Sequence, residues 1–245
     1  MSEPPPPQEH ALSPIGWVES VYPQKFGTPR QSGVVADATG TLHFYPPYDQ
    51  EAAFEGLDGF SHLWLVTLFH LVPESTNDRE QFRPRVRPPK LGGAKKVGVF
   101  ASRAPYRPNR LCLSVVELRQ IHREAGLVRI DVAGLDLVSG TPLLDLKPYL
   151  PYADAHPAAM AAYGLPPSSD IAVVWPSHQV GSGQHSLSPA DRAIIEQTLQ
   201  AQPQPAYAHA DQQFGVTLAL SIGQCNIRWQ QSTTEITILS VEPLL

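Results

Sequence analysis

The sequence predicts a mainly β protein: a single-sheet β-barrel core domain followed by a small α+β C-terminal domain. Three observations lead there. Twenty-six prolines in 245 residues is about twice the ordinary share of roughly 5%. Proline has a fixed φ and no backbone N–H, so this many argue against long helices. Seven short apolar runs, rich in Val, Leu and Phe and broken by Gly, Pro or Asp-x-x-Gly, crowd residues 15–133. The best helix-start pattern comes late, at Ser188.

Taken in order, residues 1–14 open with MSEPPPPQEH, which is acidic and proline-rich with no apolar h-region. A disordered leader is expected there, not a signal peptide. The barrel domain is expected over 15–155, with strands at 15–22, 33–37, 41–45, 63–70, 96–101, 113–121 and 127–133. Glu124-Ala125-Gly126 makes a hairpin turn between the last two, and Gln50 to Phe54 is at most a short helix. A connector at 156–169, with one helical turn, leads to the second domain at 170–245. Its helix opens at Ser188, which caps, with Pro189 in the first position and Asp191 favouring the N-terminal dipole. Ala193, Ile194, Ile195 and Leu199 form its apolar stripe. Strand-like runs follow at 214–222, 225–229 and 235–241.

Composition excludes several classes. With 42% hydrophobic and 17% charged residues, the chain is globular rather than disordered. The longest strongly apolar stretch, residues 63–72, is half of the roughly 20 residues a spanning helix needs, so no membrane partner is expected. Two cysteines, Cys112 and Cys225, make neither a disulfide framework nor a metal knuckle, and a reduced, cytoplasmic protein is expected. The net charge of −5 hides an uneven distribution. Residues 79–110 hold ten cations and a single acid, Glu80, while the rest of the chain carries −14. Prolines keep that basic segment out of helix. It reads either as a solvated loop or as a polyanion-binding surface.

The familiar chemistry motifs are missing. There is no G-x-G-x-x-G after a strand, no phosphate loop of the G-x-x-x-x-G-K-[ST] type and no G-x-S-x-G elbow. No metal site is expected from the nine histidines, which include no H-x-x-x-H pair. His62 and His70 flank an apolar strand, where alternation puts both on one face. Five turn-like polar motifs remain: PRQSG from Pro29, LDGFSHLW from Leu57, RPPKLGG from Arg87, VGVFASR from Val97 running on to YRPN at Tyr106, and GLDLVSGTP from Gly134 running on to DLKPY at Asp145. Five such motifs at strand ends in one domain point to a ligand site.

These motifs, in this order, resemble the tRNA threonylcarbamoyladenosine N6-methyltransferases, the TrmO or TsaA-like family. Pro205-Ala206-Tyr207 and Asn226-Ile227-Arg228-Trp229 are similar to that family's C-terminal extension. The resemblance implies an S-adenosylmethionine-dependent methyltransferase on a barrel rather than a Rossmann sheet, usually a homodimer, acting on threonylcarbamoyladenosine next to the anticodon of certain tRNAs. It places cofactor contacts at Gln31, Ser32, Gly33, His70, Leu71, Arg103, Leu113, Ala133, Gly134, Leu135 and Asp136. It places RNA-side residues at Arg30, Lys90, Arg107, Asn109, Lys147, Asp154, Tyr207 and Arg228. No catalytic residue is assigned; Asp154 and a backbone carbonyl both stand as acceptors for the N6 proton.

Two departures mark this chain. The family pattern R-P-N-P-I-G-[LM]-S reads here as Arg107-Pro108-Asn109-Arg110-Leu111-Cys112-Leu113-Ser114, with Arg and Cys in place of Pro and Gly. A Gly needed for close backbone approach would make the slot narrower here. The basic residues around Pro-Ala-Tyr are also absent, with Gln204 before and Ala208-His209 after. The rival reading is a non-catalytic barrel that binds the cofactor or RNA.

Overall fold

A computed structural model describes residues 10–72, 82–88, 91, 95–163, 171–175, 187–201 and 215–244. The barrel begins with β1 (Gly16–Ser20), β2 (Thr39–Phe44) and β3 (His62–Leu68). A two-stranded arm follows, β4 (Arg85–Val86) and β5 (Val97–Gly98). The barrel resumes with β6 (Leu111–Glu124), β7 (Leu127–Ala133) and β8 (Thr141–Pro148). All its pairings are antiparallel, and the order β1-β2-β7-β6-β3-β8 closes because β1 pairs with both β2 and β8. Closure leaves no barrel edge unpaired.

Alternation fills the interior. In β3, Leu63, Leu65 and Thr67 are buried while Trp64 and Val66 are only partly so. Val18, Leu42, Val116, Ile130 and Leu143 join Leu63 and Leu65 in one apolar core. The β6–β7 hairpin turns at Ala125 and Gly126, with φ of 53° and 79°. Two successive positive φ values give the turn whose twist matches the flanking strands.

Beyond the barrel lie helix α1 (Pro151–Asp154), strand β9 (Ala172–Val174), helix α2 (Pro189–Gln200) and strands β10 (Leu218–Ile222), β11 (Cys225–Gln231) and β12 (Glu235–Pro243). The last four strands form a sheet in the order β10-β11-β12-β9. The capping expected at α2 is present and reciprocal: Ser188 Oγ accepts from the Asp191 N–H, and the Asp191 carboxylate accepts from the Ser188 N–H. Ile194, Ile195 and Leu199 pack with Leu220, Ile227 and Trp229 in a second core. That core also takes in Tyr22, Val35 and Ala38 from the long β1–β2 connection. Tyr22 Oη and Thr198 Oγ1, both buried, hydrogen-bond at 3.1 Å, and the Asp37 N–H donates to Gln197 Oε1 at 3.2 Å.

Several expected elements differ. Residues 33–37 form no strand: Gly33 takes φ 75°, and Val35 is drawn into the second core. Only Val97–Gly98 of the run at 96–101 is extended, and Val99–Ala101 closes into a 3-10 turn. A helical turn forms ahead of the connector, at Pro151–Asp154, where Pro151 takes the first helical position, while residues 156–163 of the connector are not helical and 164–169 lie outside the described residues. β3 ends at Leu68 after a bulge in its pairing with β8, so His62 and His70 do not share a strand face. Residues 1–9 of the leader lie outside the described residues. No helix among the described residues is long and apolar enough to cross a membrane.

Candidate functional site

Hydrogen bonds gather most of the expected cofactor residues at one end of the barrel. The β1–β2 connection brings residues 31–33 against the β7–β8 link: the Gly33 N–H donates to the Gly134 carbonyl at 2.9 Å, and the Leu135 N–H donates to the Ala38 carbonyl at 3.1 Å. Gly134 has φ 78°, and a Cβ there would meet the Gly33 backbone at 3.4 Å. A Cβ on Gly33 would meet nothing within 4 Å, so open space lies beside that backbone. The Val115 N–H of β6 donates to Ser32 Oγ at 3.3 Å. Ala133 and Leu135 are fully buried and act as packing around this loop pair.

Asp136 is the hub. It keeps some contact with solvent but is surrounded by protein on most sides. Ser114 Oγ donates to Asp136 Oδ1 at 2.6 Å, and the Ser32 N–H also points its hydrogen bond at this carboxylate. Burial nevertheless wins and pushes the carboxyl up to about 6. The Arg103 guanidinium pulls the other way, as the smallest named influence. Arg103 follows the Val99–Ala101 turn and donates to the Gln31 side-chain carbonyl, while the Gln31 amide donates to the Arg30 carbonyl. Cys112 sits two residues before Ser114, its Sγ 3.7 Å from Ser114 Oγ. Burial, then the Asp136 charge, push its thiol up to about 11, so it is no thiolate nucleophile at neutral pH.

His70 and Leu71 lie in the turn after β3, tied in by the Phe69 N–H donating to the Arg110 carbonyl at 2.9 Å and by Lys25 donating to the Leu71 carbonyl. Burial lowers the His70 pKa, leaving a neutral ring at neutral pH. Leu113 is 60% exposed and points away from its buried neighbour Ser114, on the opposite face of β6.

The RNA-side residues divide. Arg30 directly precedes Gln31, and Arg107, two positions before Asn109, donates to the Ser102 carbonyl at 2.8 Å, next to Arg103. Lys147 pairs with Trp64, three residues along β3 from Thr67, the partner of Cys112. At about 3.4 Å per residue that puts Trp64 roughly 10 Å along β3 from Thr67. Asp154 shares this second patch. The Leu150 N–H, donating at 2.9 Å, leads in holding its carboxyl below the usual carboxylate range. Its influences come from Leu150, Trp64, Lys147 and His156. Arg228 lies exposed on β11 between buried Ile227 and Trp229. Lys90 and Tyr207 lie outside the described residues. Among the described residues no three His, Cys, Asp or Glu side chains gather as a metal site.

Comparison with known proteins decides the family. The model of the tRNA-methyltransferase O N-terminal domain matches residues 17–155, and that of the TrmO C-terminal domain matches 170–244. The chain belongs to the TrmO family. It is 38% identical to the tRNA (adenine(37)-N6)-methyltransferase of Escherichia coli over 94% of its own length and 96% of the relative's. It is 43% identical to a putative S-adenosylmethionine-dependent methyltransferase, RcsF, of Pseudomonas aeruginosa, over 85% and 89% of the two chains. A crystal structure of TrmO from Pseudomonas aeruginosa is 35% identical and superposes with a TM-score of 0.74, covering 96% of this chain and 98% of the other.

Against the TrmO pattern, Arg110 has a structural consequence. Its φ is 52°, its N–H donates to the Arg107 carbonyl at 3.1 Å, and its carbonyl accepts from Phe69. Proline, fixed near φ −65° without an N–H, permits neither the conformation nor the first bond. The 107–110 turn is therefore built differently from one with the family's proline. Ser114 was legible only by alternation: it sits one position after exposed Leu113 and so faces inward, where it meets Asp136.

Proposed function

We propose that this chain is an S-adenosylmethionine-dependent tRNA methyltransferase that acts on N6 of threonylcarbamoyladenosine at position 37. The observation that carries the reading is its likeness, over nearly the whole of both chains, to a tRNA (adenine(37)-N6)-methyltransferase. The residues at the barrel end fit the cofactor chemically. The Asp136 carboxyl is under-compensated for its burial and suits the cofactor's hydroxyls or amine. The exposed Arg103 guanidinium suits its carboxylate, and open space beside Gly33 admits a ligand against the backbone.

S-adenosylmethionine supplies an electrophilic methyl on a sulfonium. The chain's part is position and dryness. Gln31, Ser32 and Gly33 are fixed by Arg103, Val115 and Gly134, so the cofactor loop is held before a ligand arrives. The N6 nitrogen would take the methyl as the methyl–sulfur bond breaks and a neutral thioether leaves, and the N6 proton would pass to water or to a nearby acceptor. In threonylcarbamoyladenosine that N–H is urea-like, hence more acidic than a plain amine. The threonine carboxylate of the modified base matches an arginine fork, and Arg107 or an arginine of the basic segment provides one. The barrel is read as the cofactor-binding part and residues 170–245 as a further tRNA contact, in a homodimer working in the cytoplasm where tRNA is found.

The test is methyl-label incorporation into two tRNAs that differ only in prior threonylcarbamoylation. The modified tRNA is expected to be labelled. Plain adenosine, which leaves a carboxylate-binding charge unpaired, is expected to react slower by a factor of about 10⁴ or more in kcat/KM. Equal rates would overturn the substrate assignment, and no label in either would overturn the enzyme reading.

A further inference from the structure

The arm between β3 and β6 carries aromatic rings as well as charge. Residues 82–110 contain nine cations and no acid. Within that field Phe82 and Phe100 are 56% and 70% exposed and stack on each other, with centroids 5.9 Å apart and planes 28° from parallel. Two large apolar rings held in water against each other are a costly surface to maintain in a monomer. Their position is fixed by the fold. Val99, beside Phe100, is buried, and its N–H donates to the Pro84 carbonyl at 2.9 Å. The Ala101 carbonyl accepts from Tyr163. Arg83, next to Phe82, lies over the Tyr106 ring at 6.0 Å. The ledge is also close to the cofactor cluster. Arg103, which bonds Gln31, is three positions along the chain from Phe100, a reach of at most about 11 Å.

A partner for this surface must be polyanionic and must present flat π faces. Single-stranded RNA meets both demands: cations follow its phosphates, and aromatic rings stack with unpaired bases. A paired stem offers phosphates but keeps its bases stacked on one another. We propose that Phe100, backed by Phe82, is a stacking platform for an unpaired anticodon-loop base close to the adenosine that is methylated. This rests on the reading of the chain as a tRNA methyltransferase. At 5.9 Å the two rings leave no room for a base between them, so the base continues the stack on the outer face of Phe100.

The experiment uses the full chain and an anticodon stem-loop RNA, read by fluorescence anisotropy across a salt series. Phe100→Ala is expected to weaken binding about tenfold with the salt slope unchanged, because stacking releases no counterions. Phe100→Tyr keeps the ring and is expected to bind within about twofold of the parent. Single abasic substitutions around the loop should reveal one position that costs the parent protein about tenfold and costs Phe100→Ala nothing more. Parent-like affinity in Phe100→Ala, or an abasic penalty that persists in it, overturns the platform. So does a change of mass in sedimentation, which would seat the rings against a second copy. If the parent protein binds no RNA, the tRNA reading itself fails, a result separate from an insensitive Phe100 in a protein that does bind.

Discussion

Replacing Asp136 with Asn is expected to stabilise the free protein at neutral pH while harming cofactor binding. The carboxyl has an ordinary value of 3.8 and is pushed up to about 6 by burial. Below pH 3.8 it is protonated whether the chain is folded or not, and there is no penalty. Between 3.8 and about 6 the unfolded chain releases the proton while the folded chain keeps it, so stability falls as pH rises. Above about 6 the full penalty applies. Each pH unit between the two values is worth about 1.4 kcal/mol, which makes the whole about 3 kcal/mol. An Asn carbonyl still accepts from Ser114 and the backbone, but its NH₂ must find an acceptor. A net gain of about 2 kcal/mol at pH 7.5 is therefore expected, turning into a net loss of up to about 1 kcal/mol at pH 4, where the carboxyl penalty has gone and the cost of the amide remains. The assay is urea unfolding of both proteins without cofactor, across that pH range, where their difference isolates this one carboxyl. A difference that does not vary with pH, or an Asn variant less stable at pH 7.5, would refute the argument.

Three further outcomes are expected. Arg103→Ala should weaken S-adenosylmethionine binding about tenfold in calorimetry, as the guanidinium that anchors Gln31, and that we propose for the cofactor's carboxylate, is lost. Replacing Arg83, Arg85 and Arg87 together with Ala should lower the salt slope of tRNA binding by about 0.7–0.9 per lost phosphate contact, with calorimetric cofactor affinity retained; an intact slope would make the segment merely solvated. Tyr22→Phe leaves the buried Thr198 hydroxyl without its partner and should cost about 1–2 kcal/mol in denaturant unfolding, with little change if the hydroxyl finds another acceptor.

The barrel was legible because its signals are local. Leu127–Ala133 lies within the expected boundaries, and the Ala125-Gly126 turn sits where the glycine predicted it. β8 was missed as a strand because Thr141–Pro148 begins Thr-Pro-Leu-Leu and contains two prolines, which read as turn chemistry. It tolerates them inside the barrel because Pro142 lies opposite Trp17 and Pro148 opposite Leu63, near the two ends of the strand. β9 was missed because three residues pairing parallel to β12 leave no periodic trace. The site motifs were legible as types of residue, but their assembly was not. That Ser32, Ser114 and Asp136 meet depends on strands closing across more than a hundred residues.

The β1–β2 connection belongs to both cores at once. Gln31, Ser32 and Gly33 lie at the end of the barrel that holds Asp136, while Tyr22, Val35 and Ala38, on either side of them, are buried with α2 and β11. A strap anchored in this way transmits load. Whatever loosens the C-terminal sheet frees both ends of the strap and lets residues 31–33 drift from Gly134 and Val115. Reciprocity then requires that a ligand tightening residues 31–33 also raise the resistance of α2 to opening, by the same free energy. Hydrogen exchange at the amides of Ile194, Ile195 and Leu199 would thus report cofactor occupancy from the far domain, as a strain gauge reports a weight hung elsewhere on the beam.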